Sequence, residues 1–201
     1  MTNRLLLREL EAGDVDTLVG YYKEPQSQAG ILSRQRDPVH NTRVMKACAD
    51  YNGRRKWFDR ELHPFAACLR DGGEVIGYAS LGYVGEGRMV FGWHFGVAYA
   101  GRGYATEVGA ELLRFAFVQL QAGSVYADCN ATNPAAIAIF RKLGMRPTAN
   151  GAIRSWLRGL KYGELRPILR HLLDRADFSG SRVPPVPVGD TSRLSGEPSC
   201  G

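Results

Sequence analysis

A glycine turn between a β-rich run and an amphipathic stretch constrains this sequence more than any other feature. Phe91–Val97 predicts a strand, Gly101-Arg102-Gly103 a tight turn, and Tyr104 to about Leu120 a helix with one apolar face. Glycine lets backbone N–H groups approach an anion closely, and a helix N-terminus adds about half a positive charge. The pattern indicates a pyrophosphate cradle, although a Gly-x-Gly turn by itself is more typical of an ordinary reversal.

Two well-known phosphate cradles do not match this turn. A dinucleotide fold requires a third glycine in Gly-x-Gly-x-x-Gly, and Thr106 fills that position here. A P-loop requires Gly-Lys-Ser or Gly-Lys-Thr, which the turn does not contain. The turn therefore assigns the chain to neither of these nucleotide-binding classes.

A meander of three strands leads into the turn. Two glycine-rich reversals, Asp71-Gly72-Gly73 and Gly85-Glu86-Gly87, separate its β-rich runs. The predicted strands are Phe65–Arg70, Glu74–Val84 and Arg88–Val97. This meander is the best-defined part of the predicted fold.

Helices and further strands are predicted on both sides of the meander. Before it come a strand near Leu5, a helix from the N-cap Asp14 to about Glu24, a loop from Pro25 to Val39, and a helical stretch from Asn41 to Leu62 that His63-Pro64 ends. After it come a strand over Ser124–Cys129, a helix over Asn133–Leu143 closed by Gly144, and two weaker strands near Ala152–Arg158 and Leu165–Leu172.

Length and composition predict one folded domain and a tail. The chain has 201 residues, enough for one core, and we expect the domain to cover residues 1–175. Residues 176–201 are rich in proline, serine and glycine and are predicted to be disordered. No apolar run reaches ~18 residues and the amino terminus does not resemble a signal peptide, so a cytoplasmic location is expected.

Charge and cysteines restrict the partners. The net charge of +6 suits an anionic small molecule or a nucleic acid, but the basic residues are scattered, so a solvated basic surface is favoured. The four cysteines, Cys48, Cys68, Cys129 and Cys200, are too far apart in the sequence for a metal-ligand spacing. We therefore expect reduced thiols, no metal and no disulfide framework.

Three motifs resemble the GNAT superfamily of N-acetyltransferases, and in particular its RimJ/RimL-type branch. Gly103 and Ala105 match the last two positions of the acetyl-CoA motif Gln/Arg-x-x-Gly-x-Gly/Ala, within the run from Gly101 to Glu107. The opening segment Thr2–Arg8 and the segment Asn133–Met145 match the branch in the same order along the chain. The resemblance implies an α+β fold, with a mostly antiparallel central sheet splayed at the acetyl-CoA site and helices on both faces.

The resemblance also implies a set of residues that bind acetyl-CoA. Backbone groups of Trp93, Phe95 and Val97, with the intervening Gly96, would pair with the pantetheine arm. Asn133 would reach the pantetheine and Phe140 would pack beside the cofactor. The pyrophosphate would lie on the amides from Gly101 to Ala105, which comprise Gly101, Arg102, Gly103, Tyr104 and Ala105.

The catalytic positions depart from the family. Phe140 stands where many relatives carry an acidic tyrosine, and Ala136 replaces a serine that others use. His94 is a candidate replacement base and Asn133 a second candidate, but strand alternation places His94 on the face opposite Trp93. Glu107 is expected to complement the helix dipole rather than to act as a base. Direct acetyl transfer to an amine through a water-relayed base, without an acid, is the expected mechanism.

Other interpretations remain open at this stage. A CoA-binding domain without catalysis would explain the two missing acid positions, and a basic nucleic-acid-binding protein would explain the charge. The acceptor would be a small-molecule amine, a peptide or a protein amino terminus, and a monomer or homodimer is expected. Five residues could line the pocket for the acceptor amine: Tyr21, Tyr22, Arg34, Arg36 and Trp57.

Overall fold

The computed structural model describes residues 2–30, 38–54, 60–148 and 168–179. In these ranges the chain forms a seven-stranded sheet with helices on both faces. The strands are β1 (Leu5–Glu9), β2 (Leu62–Leu69), β3 (Val75–Tyr83), β4 (Arg88–Phe95), β5 (Ser124–Asn130), β6 (Arg146–Pro147) and β7 (Ile168–Asp174). The helices are α1 (Val15–Lys23), α2 (Pro25–Gly30), α3 (Pro38–Arg54), α4 (Tyr104–Arg114) and α5 (Pro134–Lys142).

The sheet has the order β1-β2-β3-β4-β5-β7-β6. Neighbouring strands are antiparallel except for β4 and β5, which run parallel. That parallel pairing joins only Arg88–Val90 to Ser124–Tyr126, although β4 continues to Phe95 and β5 to Asn130. The predicted mostly antiparallel, splayed GNAT-like sheet is confirmed, and the splay lies in its middle.

The predicted meander is confirmed with small changes at the strand ends. Its turns work because the glycines adopt left-handed conformations, with φ of +82° at Gly72 and +93° at Gly85. An L-residue with a side chain is strained there, whereas glycine is not. β4 ends at Phe95 rather than Val97, because Val97–Tyr99 forms a short 3₁₀ turn.

The two faces of the sheet carry separate apolar cores. On β4, Met89 and Phe91 point to the face covered by α4, where Val108 and Leu112 are fully buried. The opposite face is covered by α1 and α3, with Leu18 and Tyr22 in its core. Because side chains alternate along a strand, every second side chain of β4 lies on the α4 face and the side chains between them lie on the α1 face.

The predicted loop from Pro25 to Val39 and the predicted helix end at His63-Pro64 were wrong, because proline can also begin a helix or lie within a strand. Pro25 and Pro38 open helices α2 and α3 instead of bordering one loop, since the first turn of a helix does not use the missing N–H. His63-Pro64 does not end a helix but belongs to β2. The Pro64 carbonyl accepts from the N–H of Leu10, and the Leu10 carbonyl, which proline cannot bond, accepts from the side-chain amide of Asn52 at 3.2 Å instead.

The carboxyl-terminal part differs from the prediction at its edges. The last strand is Ile168–Asp174, which continues two residues beyond the predicted end at 172, and a short β6 comes before it. The predicted start at 165 lies outside the described residues. The expected strand over 152–158 lies outside the described residues. The folded part extends past residue 175, because the Phe178 ring stacks on Phe117 with centroids 4.8 Å apart. Residues 180–201, which hold most of the predicted tail and Cys200, lie outside the described ranges, whereas Cys48, Cys68 and Cys129 are buried free thiols.

Candidate active site

The splay between β4 and β5 opens a gap lined by backbone. The N–H of Gly96 donates to the carbonyl of Ile76 on β3 at 3.1 Å. Because successive backbone groups of an extended strand point to opposite sides, the N–H group of Phe95 points away from β3 and toward the gap. Trp93 shares this parity, whereas Val97 lies beyond the end of β4 and its N–H donates to Glu24. Of the three residues that the sequence assigned to the pantetheine arm, Trp93 and Phe95 therefore direct a backbone N–H into the gap, and Val97 does not.

Aromatic rings form an apolar wall beside the gap. Trp93 stacks on Phe91 with centroids 5.3 Å apart, and Phe140 of α5 meets Trp93 edge-on at 5.6 Å. Phe140 is 3% exposed, and its other face lies 5.0 Å from the ring of His171. Burial, with a contribution from Arg141, lowers the pKa of His171. The position of the family's acid is therefore a hydrocarbon ring inside an aromatic cluster.

The glycine turn forms the end of the gap. Gly101 and Gly103 have φ of +75° and +82°, and Gly103 is the N-cap residue of α4. The first N–H groups of an α-helix have no acceptor within the helix. A Cβ built on Gly101 would meet no heavy atom within 4 Å, so the turn offers open space next to these donors. The run from Gly101 to Ala105, with Arg102 and Tyr104 between the glycines and Ala105, fits a pyrophosphate.

Arg4 forms hydrogen bonds with this turn and with the first turn of α4. The Arg4 Nη1 donates to the carbonyl of Arg102 at 2.8 Å, and its Nε donates to Glu107 at 2.8 Å. The guanidinium also lies 4.7 Å from the centroid of the Tyr104 ring. Sequence reasoning did not find this contact.

Glu107 is the partner of Arg4 in an ion pair. Burial would raise the pKa of Glu107, but hydrogen bonds from Thr2 and Arg4 and the charge of Arg4 outweigh it and lower that pKa. Its two oxygens accept from the Arg4 backbone N–H and from the guanidinium. The carboxylate is ionised next to the helix N-terminus, where its charge is compensated by an arginine.

His94 lies on the other face of β4. Its ring stacks on Tyr22 of α1, with centroids 3.9 Å apart and planes 12° from parallel. Burial lowers the pKa of His94, although a hydrogen bond to the backbone of Tyr21 and the charge of Glu24 raise it in part. Its Nε2 is buried and has no hydrogen-bond partner in the structure. The imidazole is therefore neutral near pH 7, with an unused nitrogen on the α1 side.

Glu24 reaches the end of β4 from the end of α1. Its Oε2 accepts from the N–H of Val97 at 2.7 Å and from the Ser27 hydroxyl at 3.3 Å. The neighbouring Gly96 leaves room for Tyr21 of α1, since a Cβ on Gly96 would lie 2.7 Å from the Tyr21 ring. Sequence reasoning treated Glu24 only as a helix end, and the 73-residue separation from Val97 gave no signal in the sequence.

Asn133 has a structural role in the described fold. It is the N-cap of α5, and its Oδ1 accepts from the N–H of Ala136 at 3.1 Å. This is the usual use of asparagine before a helix. Among the other sequence candidates, Arg34, Arg36 and Trp57 lie outside the described residues. Within the described ranges, no three His, Cys, Asp or Glu side chains are grouped to hold a metal, and no helix is long and apolar enough to cross a membrane.

Comparisons with known proteins agree with this geometry. The family model described as an acetyltransferase (GNAT) domain matches residues 4–146. The uncharacterized N-acetyltransferase YnaD of Bacillus subtilis is 29% identical over 146 residues, which cover 72% of this chain and 81% of that protein. The N-alpha-acetyltransferase RimI of Mycobacterium tuberculosis is 35% identical over 96 residues, covering 44% and 58%.

Solved structures share the fold. Spermidine N-acetyltransferase from Vibrio cholerae, in complex with CoA and spermine, superposes with a TM-score of 0.70 at 15% identity, covering 87% of this chain and 97% of that one. A putative ribosomal-protein-serine acetyltransferase from the same organism gives 0.64 at 20% identity, covering 87% and 95%. The splayed sheet and the glycine turn both lie within the matched domain. The chain therefore belongs to the GNAT acetyltransferase family and is an acetyl-CoA-dependent N-acetyltransferase.

Proposed function

We propose that this protein moves an acetyl group from acetyl-CoA directly to a primary amine, and that it belongs to the RimJ/RimL-type branch. The observation that carries the proposal is the gap between β4 and β5, together with the glycine turn that follows β4 and opens helix α4. An extended arm with a diphosphate at one end fits such a gap. The motifs at Thr2–Arg8 and Gly101–Glu107 support the assignment to the branch.

The residues at the gap have distinct roles in this proposal. The amides from Gly101 to Ala105 bind the diphosphate, and the gap-facing backbone of Trp93 and Phe95 pairs with the pantetheine arm. Phe140 packs beside that arm and excludes water. Acetyl-CoA supplies the thioester whose acyl carbon the amine attacks. The new bond joins the amine nitrogen to that carbon, the carbon–sulfur bond breaks, and the nitrogen loses a proton.

No side-chain acid is needed for the departing thiolate. Phe140 and Ala136 occupy the two positions where relatives carry a hydroxyl, and neither has a proton to give. A thiol with a pKa near 8.5, by analogy with cysteine, leaves tolerably as a thiolate. The apolar wall of Phe140, Trp93 and Phe91 is consistent with this acid-free route.

Two groups on the α1 side could take the amine proton through a water molecule. One is the unused Nε2 of His94, whose lowered pKa keeps it able to accept a proton near pH 7. The other is the carboxylate of Glu24, which lies on the Val97 N–H at the end of β4. Both belong to the surface between α1 and β4, which we assign to the acceptor.

The acceptor class rests on similar proteins. The names of the matched proteins include spermidine as an acceptor and N-alpha-acetylation in the case of RimI. Both are reactions of amines. We propose a primary amine on a small molecule, a peptide or a protein amino terminus.

The decisive experiment measures thiol release from acetyl-CoA with a panel of amines between pH 6 and 10. Because no acid has to stay protonated, the rate should rise with pH and then remain level. Phe140→Tyr should add a falling limb near pH 9 to 10, since the pKa of tyrosine is about 10. His94→Ala and Glu24→Gln identify the base, because loss of the true base should lower the level part of the profile, whereas the rise follows deprotonation of the amine.

Two results would contradict the proposal. A bell-shaped wild-type profile, with chemistry shown to limit the rate, would require an acid that we have not identified. CoA binding without turnover of any amine would instead favour a CoA-binding domain that has lost catalysis.

A further inference from the structure

Arg4, the residue just before β1, contacts Arg102 in the glycine turn and Tyr104 and Glu107 in helix α4. Arg4 donates from Nη1 to the Arg102 carbonyl, from Nε to Glu107, and from its own backbone N–H to Glu107 at 3.0 Å. Its guanidinium also lies near the ring of Tyr104. The pair Arg4–Glu107 spans 103 residues of sequence.

The bond to Arg102 determines where a neighbouring N–H points. The Arg102 carbonyl and the Gly103 N–H belong to one planar trans peptide, so they point in opposite directions. By holding the carbonyl on its own side, Arg4 turns the Gly103 N–H to the other side. A donor fixed in advance binds an anion without the cost of ordering it.

The ion pair also removes an electrostatic conflict. Glu107 lies in the first turn of α4, where the helix dipole attracts negative charge. An uncompensated carboxylate there would compete with, and repel, an incoming diphosphate. Arg4 neutralises it with a contact of 2.7 Å between Nη2 and Oε2.

The backbone around Arg4 is fixed by hydrogen bonds and by burial of its neighbours. Its carbonyl accepts from the N–H of Arg70 at 2.9 Å, and the next residue, Leu5, is fully buried. The preceding Thr2 is 2% exposed, and its hydroxyl accepts from the N–H of Leu5 at 2.7 Å. The turn is therefore anchored to the bend that leads directly into β1.

From these contacts we infer that Arg4, paired with Glu107, is a positioning residue for the diphosphate-binding turn. This inference rests on the proposed function in taking CoA as the ligand. Arg4 acts through the orientation of the Arg102–Gly103 peptide and not through the acyl group. Its loss should therefore weaken ligands that carry the diphosphate and leave shorter ligands unchanged.

The test compares donors with and without the diphosphate. In Arg4→Lys, which keeps the charge but loses the fork, and in Glu107→Gln, KM for acetyl-CoA should rise about tenfold. Calorimetry with CoA should show a similar loss in affinity, while kcat changes little. The kcat/KM for S-acetylpantetheine should stay at the wild-type value. Arg88→Lys is the matched control, since its exposed pair with Glu86 lies at the opposite end of β4 from the turn and should change none of these values.

The outcomes separate the inference from the proposed function. Equal losses with both donors, or unchanged CoA affinity in both variants with wild-type melting temperatures, would overturn the positioning role. Wild-type protein that binds CoA but turns over no amine would overturn the proposed function. In that case the CoA and pantetheine affinities of the two variants still decide the inference.

Discussion

Replacing Gly103 by valine separates backbone strain from ligand binding, because the chain contains a matched position. Gly103 and Gly72 both have φ of +82°, but Gly72 lies in the turn between β2 and β3. A valine at such a φ costs about 1–3 kcal/mol of stability. For a chain of this size each kcal/mol lowers Tm by roughly 2–4 °C. Both variants should therefore lose stability to a similar extent.

Only the Gly103 variant should also lose CoA affinity. A Cβ at Gly103 would lie 3.4 Å from the Arg4 Nη2, so the valine methyl groups would push the guanidinium away from Arg102. At Gly72 no heavy atom lies within 4 Å of the added Cβ. Losing one charge-assisted contact and the open approach to the turn should weaken CoA by at least about tenfold.

The assay combines thermal unfolding without ligand and calorimetry with CoA at a temperature where both variants are folded. Wild-type CoA affinity in a folded Gly103→Val protein would show that the turn is only a turn. An equal loss of affinity in Gly72→Val would show that general destabilisation, and not the local geometry, is responsible. Either result refutes the reasoning.

Two further predictions concern stability. Acetyl-CoA should raise Tm, because a ligand that binds only the folded state at about 100 times its Kd stabilises it by about 2.7 kcal/mol; scanning fluorimetry checks this, and no shift at such a concentration contradicts it. Burial, helped by the charge of Arg60, lowers the pKa of His63 to about 4, whereas the unfolded chain titrates near 6.5. The unfolded state binds more protons between these values, so the free energy of unfolding should fall by up to about 3 kcal/mol as pH drops from 6.5 to 4. Urea unfolding at several pH values measures this loss; His63→Gln should flatten the slope, and an unchanged slope would assign it to other groups.

The part of the fold that local sequence determines was predicted well. Gly72 and Gly85 adopt positive φ because the meander reverses direction there, and a glycine signal of this kind does not depend on distant residues. Alternation along β4 likewise gave the correct face for His94. Prolines were harder, because Pro38 starts a helix and Pro64 continues a strand, and only the tertiary context distinguishes these uses.

The contacts that Glu24 and Arg4 make after the end of β4 could not be predicted from the sequence. The hydrogen bonds between Glu24 and Val97 and between Arg4 and Glu107 join residues 73 and 103 positions apart in the sequence. No spacing rule relates such positions. Arg4 carried one indirect signal, because it belongs to the opening segment that resembles the RimJ/RimL branch. Glu24 carried none that we could identify.

These two contacts make the N-terminal segment part of the site although it contributes no strand to the gap. The walls come from β4, β5 and α5, and the motif itself lies at residues 101–105. A fragment that began at residue 60 would keep all of these, but the Arg102 carbonyl would lose Arg4 and the Val97 N–H would lose Glu24. Without β1, the fully buried Ala67 of β2 would also lose its partner Leu7. Through Arg4 the segment holds the diphosphate-binding turn, through Glu24 it contacts the 3₁₀ turn that follows β4, and the motif depends on the segment for its geometry.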